Sequence, residues 1–242
     1  MTVIKRLIKK ILKVPATCTA VIAAAGSSVR MNGVDKLFVE ICGFPVIVHT
    51  LLAFECSDYV DEIVVVAREE CVERIASLCK KHSINKVSKV MIGGSSRLES
   101  VVSGVYAASW KSELIAIHDG ARPCVDKRTI EKTILKATKR HAAAPGVPVS
   151  STLKKLKGKI VMETVDREDM VEIQTPQTFN ADLIKGALTK ALKESPDITD
   201  DCMAVEKLGI PVYITEGSRF NIKLTTDEDF CFAEAVLLKC NF

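Results

Sequence analysis

AVIAAAGSSVRMNGVDK, residues Ala20 to Lys36, joins an apolar run of strand length to a loop of small residues and ends in two separated cations. The run CTAVIAAA, which opens at Cys18, shows no alternation of apolar and polar residues, the pattern of a strand buried on both faces of a parallel sheet. Ala23, Ala24, Ala25, Gly26, Ser27 and Ser28 carry little or no side chain, so backbone N–H groups there can come close to a phosphate or a base edge. Arg30 and Lys36 add a planar fork and a point charge, a pairing suited to a triphosphate whose charge shifts during reaction. An ordinary strand-to-loop turn with two solvated cations would give the same stretch.

The strand-and-helix rhythm repeats downstream. Glu62 to Ala67 is a second buried strand, Glu69 to His82 a helix and Lys89 to Ile92 a short strand. GGSSR (Gly93, Gly94, Ser95, Ser96, Arg97) is then a second small-residue loop that leads into a helix with Ser100 in its first turns. Two such loops at the carboxyl ends of neighbouring strands can form opposite walls of one nucleotide cleft, although two ordinary turns would look alike. LIAIHDGARP, Leu114 to Pro123, is a buried strand that ends in a carboxylate. Asp119 there suits Mg²⁺ or another divalent cation that keeps several waters and borrows its other ligands from phosphates. His118 reads as a packed neighbour rather than a base, and Arg122 as a possible partner for Asp119.

After a helix from Asp126 to His141 and a strand in AAAPGVPVSS, the character changes. Thr152 to Arg167 is a polar β-hairpin around Lys157, Gly158 and Lys159, with little apolar surface of its own to bury. Such an arm, about residues 150–178, calls for a partner, and a second copy of the chain is the simplest one. A helix follows from Ala181 to Lys193, then one capped by Thr199 or Asp200 through Leu208, and a strand in IPVYITEGS. The last helix runs to Leu238 from a cap at Thr225 or Thr226. Asp227, Glu228 and Asp229 sit in its first turn, a capping position rather than a metal-binding one.

The formal charge of +4 is concentrated, because Lys5, Arg6, Lys9, Lys10 and Lys13 leave the rest of the chain at −1. Ile4, Leu7, Ile8, Ile11 and Leu12 fall at helical spacing among those cations, so residues 1–15 read as a basic amphipathic helix closed by Pro15. It packs on the domain, frays or touches anionic lipid; a single short helix is a weak anchor, so membrane contact is the least favoured of these. A near-neutral body with three Tyr and one Trp gives no support to nucleic-acid binding. The nine Cys form no CxxC pair, and they read as reduced, buried thiols of a cytoplasmic protein. Residues 16–242 form one α/β domain.

Taken in order, AAAGSSVRM with Lys36, GGSSR, HDGARP, TVDR, QTPQTF, ITDD and NIKLTT resemble the bacterial 2-C-methyl-D-erythritol 4-phosphate cytidylyltransferases of the non-mevalonate isoprenoid pathway. The likeness runs from about Thr17 to Leu238. It implies a Rossmann-like, mainly parallel sheet flanked by helices, a protruding β-arm, and a homodimer joined by exchanged arms. The implied reaction uses CTP and a polyol phosphate and releases pyrophosphate. The resemblance makes Arg30, Lys36 and Lys223 the catalytic cations. It gives the cytidine to Ala23–Ser27, Gly93, Gly94, Ser95, Arg97, Ser100 and Asp119, and the Mg²⁺ to Asp119. Thr152, Arg167 and Thr175 match positions that grip the polyol phosphate, partly across the dimer. Ser28, Ser151 and Phe220 depart from the common pattern. Two other readings compete: a cytidylyltransferase for a pentitol phosphate such as ribitol 5-phosphate, and a CTP-binding module without catalysis.

Overall fold

In the computed structural model, which describes residues 17–26, 35–194 and 196–240, β1 (Cys18–Ala24) is the axis of the molecule. It pairs in parallel with β4 (Glu62–Ala67) on one side and with β6 (Leu114–Asp119) on the other. Both β1 and its neighbours are buried, as their continuous apolar runs require. β5 (Val87–Ile92) extends the sheet beyond β4 and starts two residues earlier than its apolar run. The expected N-terminal helix, Ser27, Ser28 and Arg30 lie outside the described residues.

The eight-stranded sheet has the order β10-β7-β11-β6-β1-β4-β5, with β12 beside β7. β7 (Ala142–Pro148) and β12 (Tyr213–Glu216) keep the direction of β6, while β11 (Gln177–Asn180) and β10 (Val171–Ile173) run against it. The sheet is therefore mainly parallel with two reversed strands on one side. β11 is the larger departure from the sequence reading, in which QTPQTF only closes the arm. Its four residues are too few and too polar to announce a strand, and its ladder bonds come from β6 and β7, far away in sequence.

Helices cover both faces. α1 (Val46–Glu55) follows the small hairpin of β2 (Glu40–Ile41) and β3 (Phe44–Pro45), and packs with α2 (Glu69–Lys81) in one apolar layer around Ile22, Phe54, Ile63 and Ile75. α4 (Lys127–Arg140) starts at Asp126, whose carboxylate accepts the Thr129 N–H, and stops at His141 in the left-handed region. On the other face, α3 (Arg97–Ala107) and α5 (Ala181–Glu194) share a layer with Val21, Val66, Ile117 and Phe179. α6 (Asp201–Glu206) is capped by Asp200, through its carboxylate and the Met203 N–H. At the start of α7 (Asp227–Cys240), the Asp229 carboxylate accepts the N–H groups of Thr225 and Thr226. Of the acidic triplet, Asp229 makes these capping bonds. Of the eight cysteines described, all are free thiols; Cys42, Cys56 and Cys231 are exposed, which corrects the expectation of a wholly buried set.

β8 (Leu153–Lys157) and β9 (Ile160–Val165) pair only with each other, around a turn in which Gly158 takes φ +62°. Leu156, Ile160, Val161 and Met162 are left more than half exposed on this arm.

α3 lies close to the sheet because it has no side chain at Gly104. A Cβ there would stand 2.5 Å from Val21 Cγ1 and 2.6 Å from Val66 Cγ2. Gly104→Ala is expected to destabilise the fold by about 1–3 kcal/mol despite its better helix propensity, read as a lower urea midpoint. An unchanged midpoint would mean that α3 shifts freely and the close approach carries no constraint.

Candidate active site

The sequence runs outward from β1 to β4 and β5, then crosses to β6 on the other side, so the order of strands reverses at β1 and β6. Open α/β sheets bind ligands in the crevice at the carboxyl ends of such strands. A cavity of about 340 Å³ lies there, lined by Ala23–Gly26 at the end of β1, the 94–97 loop and Ser100, Asp119 and Ala121, Lys36 and Leu37, and Lys223.

Its two small-residue walls nearly touch. A Cβ on Gly93 would lie 2.8 Å from the Ala25 Cβ and 2.6 Å from Ser100 Oγ, so no side chain fits at Gly93 without moving one wall. Gly93 itself stands behind the cavity, its N–H donating to Ala67 O at 2.8 Å. Ser100 Oγ accepts the Gly94 N–H at 3.1 Å, and Ser96 Oγ accepts the Glu99 N–H, while Glu99 accepts the N–H and hydroxyl of Ser95. This reciprocal cap fixes the loop without a ligand.

Asp119, 7% exposed, collects cations from three elements. Lys223 Nζ stands 3.1 Å and Arg122 Nε 3.2 Å from its Oδ2, and Arg97 Nη2 is 3.8 Å from its Oδ1. Burial alone would raise the Asp119 pKa, but Lys223, Arg97 and Arg122 together hold it well below the usual carboxylate range. Its N–H donates to Thr175 Oγ1 at 3.2 Å, and that hydroxyl also pairs with His118 Nδ1 at 2.9 Å. Thr175 is thus buried with its hydroxyl engaged behind Asp119. The resemblance assigns Thr175 to the polyol phosphate; here its hydroxyl meets the Asp119 N–H and His118. Burial depresses His118 to about 3, so it is a neutral packed ring against Phe54.

Arg97 is also engaged from behind. Its guanidinium donates to both oxygens of the fully buried Asp201, at 3.1 and 2.8 Å, in a forked pair. Gln177 Oε1 accepts the N–H groups of Asp201 and Cys202, and its Nε2 donates to Asp200. A closed ring therefore runs from Asp119 through Thr175 and Gln177 to Asp201, Arg97 and back. ITDD and QTPQTF, which the sequence shows only as motifs, supply it.

Lys36 sits in a single 3₁₀ turn (Lys36–Phe38), its Nζ donating to Leu224 O at 2.9 Å. Burial and the neighbouring Lys223 lower its pKa. Beyond Lys223 a second cavity of about 330 Å³ opens, with Arg122, Gln174, Arg219 and Asn221 in its lining. Arg219 and Gln174 were not singled out in the sequence; Arg219 lies just ahead of NIKLTT, the only signal for it. Thr152 and Arg167 are exposed on the arm and line neither cavity of their own chain; Arg167 donates to Ser150 O. Among the described residues no group of three His, Cys, Asp or Glu gathers as a metal nest. Asp119 is the one acid in the first cavity's lining. A single hard oxygen donor fits a cation of the Mg²⁺ type, which takes most ligands from water and phosphates.

The family model described as IspD, 2-C-methyl-D-erythritol 4-phosphate cytidylyltransferase, matches residues 18–239. The chain belongs to this family. A relative of that name from Halalkalibacterium halodurans is 44% identical over 220 residues, covering 90% of this chain and 96% of its own. One from Clostridium botulinum is 40% identical over 223 residues, covering 91% and 97%. The crystal structure of 4-diphosphocytidyl-2C-methyl-D-erythritol synthase from Anaerococcus prevotii aligns with TM-score 0.82 at 30% identity, over 92% of this chain and 96% of that one. The cytidylyltransferase structure from Thermus thermophilus aligns at 0.77 and 30%, over 90% and 98%. All are IspD relatives in fold and in sequence, and the nucleotidyltransferase class expected from the motifs stands.

Two outcomes are expected from this geometry. Asp201→Asn should cost about 1–3 kcal/mol, less than a fully buried pair would because Arg97 is about one-third open to water, and should weaken nucleotide binding with it. A variant with unchanged melting and binding would remove Asp201 from the ring. The second concerns acid. The folded His118 takes up its proton only near 3, against an ordinary 6.5, so between these values the unfolded chain binds more protons and stability falls as pH drops. Melting temperatures measured from pH 7 to 4 should decline, and His118→Gln should flatten the slope; an equal slope in both proteins would assign the loss to other groups.

Proposed function

We propose that this IspD-family chain transfers CMP from CTP to 2-C-methyl-D-erythritol 4-phosphate, giving the cytidine-diphosphate alcohol and pyrophosphate. The observation that carries the reading is the meeting of two cavities at Lys223, beside Asp119, one walled by small residues and one lined by Arg122 and Arg219. Nucleotide and acceptor phosphate can face each other across that lysine. The names carried by relatives of 40–44% identity over nine-tenths of the chain support the choice of alcohol over ribitol 5-phosphate.

The acceptor's phosphate oxygen is already a nucleophile, so no strong base is needed. Its lone pair forms the new bond to the α-phosphorus as the bond from that phosphorus to the bridging oxygen breaks, and pyrophosphate leaves with the electron pair. The protein's part is in-line positioning and neutralisation of charge. Ala23–Gly26, Gly94, Ser95 and Ser100 confine the cytidine and sugar, with Gly93 setting the wall spacing; Ser27 is assigned there by its motif alone. Lys36 and Lys223 line the cavity that takes the triphosphate, and Arg30 is assigned to the same charge by its motif alone. Asp119 holds Lys223 and Arg122 in place, and Arg97, fixed by Asp201, keeps a positive edge toward the cavity. Mg²⁺, held by Asp119, would supply charge neutralisation between the phosphates.

The arm's exposed apolar residues and its isolated pairing support a homodimer in which Thr152 and Arg167 reach the acceptor of the second copy. The free thiols support a cytoplasmic setting. No helix among the described residues is long and apolar enough to cross a membrane.

Pyrophosphate release from CTP and Mg²⁺ with methylerythritol 4-phosphate, run beside ribitol 5-phosphate, tests the reading. Preference for the first is expected, and preference for the second would overturn the assigned alcohol. Lys36→Ala should lower kcat by about 10²–10³-fold with the fold intact, and near-normal turnover would remove Lys36 from the reaction.

A further inference from the structure

A three-residue 3₁₀ turn has no cooperativity of its own, so the aim of Lys36 depends on what anchors the turn. Leu37 and Phe38 are buried, and the Arg74 guanidinium lies 3.9 Å from the Phe38 ring centre. Beside the bond from Lys36 Nζ to Leu224 O, the turn's backbone is anchored by Asp35. Its Oδ1 accepts the Leu37 N–H at 3.0 Å and its carbonyl accepts the Phe38 N–H at 2.9 Å. The other carboxylate oxygen, Oδ2, is held by Arg68 Nη2 in an ion pair and approached by the Cys71 thiol at 3.5 Å.

Arg68 follows β4 directly, so the pair ties the turn to the rigid end of a central strand. It is a restrained cation. Its side chain is 28% exposed and that of Asp35 15%, Glu70 holds its Nη1 at 3.2 Å, and its Nε is buried with no partner. A guanidinium in that setting, with one nitrogen left unsatisfied, is kept there by the Asp35 carboxylate. Arg68 lines neither cavity, and the sequence reading assigned nothing to either residue.

We propose that the Asp35–Arg68 ion pair is the positioning device for Lys36, and that Arg68, without touching either substrate, controls CTP affinity and transfer through it. This rests on the cytidylyltransferase reading for its kinetic part only. Arg68 fixes Asp35, Asp35 fixes the turn, and the turn sets where the Lys36 ammonium meets the triphosphate. The acceptor side, around Arg122 and Arg219, is untouched by the pair. The effect is therefore one-sided: CTP binding and turnover change, and the acceptor's KM does not.

The test compares Arg68→Gln and Arg68→Lys with the full chain, each also in a Lys36→Ala background. CTP affinity is measured by calorimetry, and kcat and both KM values by pyrophosphate release. Arg68→Gln is expected to weaken CTP about tenfold and lower kcat about tenfold, with the acceptor KM unchanged, and Arg68→Lys to recover most of both. In the Lys36→Ala background the same change should alter CTP affinity less than about twofold, because the group it acts through is gone. An equal loss of CTP affinity in both backgrounds would overturn the proposal, as would a fall in activity that tracks only the folded fraction on melting. Should the unsubstituted protein turn over neither alcohol phosphate, the cytidylyltransferase reading fails, and the calorimetric comparison still decides the role of the pair.

Discussion

The site depends on one carboxylate kept ionised at the end of a central strand. Asp119 is nearly buried, a place where a lone carboxyl would rather be neutral, and only the cations around it make the charge stable. Those cations come from α3, from the turn after β6 and from the segment before α7. One side chain thus draws three distant parts of the chain to the same point. The sheet makes this possible by ending β1 and β6 side by side, in register from Cys18 and Leu114 to Ala23 and Asp119.

What the sequence made legible follows from the kind of signal each part carries. β1, β4 and β6 are continuous apolar runs, and such runs need no distant information to be read. Lys36 and Asp119 stand beside a loop and at a strand end, so their placement at the cavity could be anticipated from local pattern, whereas Lys223 was reached only through the family resemblance of NIKLTT. Thr175 could not. Its part in holding the Asp119 N–H and His118 depends on β11 pairing antiparallel with β6, and nothing within Gln174–Phe179 declares that pairing. Asp201 was legible only as part of ITDD; its forked pair with Arg97 joins residues 104 positions apart. Arg30 was read from its neighbours alone and lies outside the described residues.

The arm illustrates a different limit. Its hairpin is declared by Lys157-Gly158-Lys159, and Gly158 does take the left-handed backbone that a two-residue turn needs. Its composition is polar, yet Leu156, Ile160, Val161 and Met162 are exposed together. Polar residues on a two-stranded ribbon with no third strand cannot cover those apolar groups, since a hairpin alone is marginal in water. The cost is removed only when another surface meets them. In the proposed homodimer a second copy supplies that surface, and would bring Arg167, which lines neither cavity of its own chain, to the acceptor.

The charges of the site differ in how they are held, and the difference orders their parts in the chemistry. Arg97 has Asp201, Arg122 and Lys223 have Asp119, and Arg68 has Asp35, so each of these carries a carboxylate at contact distance before any substrate arrives. Lys36 is held instead by the Leu224 carbonyl, a dipole rather than a charge. Among the described cations lining the nucleotide cavity, its ammonium is the one without a carboxylate in an ion pair, and burial together with Lys223 disfavours its charged form although Asp119, Asp35 and Asp229 favour it. In the proposed reaction an incoming triphosphate would relieve that penalty at Lys36. A group destabilised in the empty site and stabilised as negative charge grows nearby contributes most where electrostatic catalysis needs it, provided that its direction is fixed in advance. In the proposed arrangement that task falls to the Asp35 carboxylate one residue away, through which an ion pair outside both cavities would bear on the reaction within them.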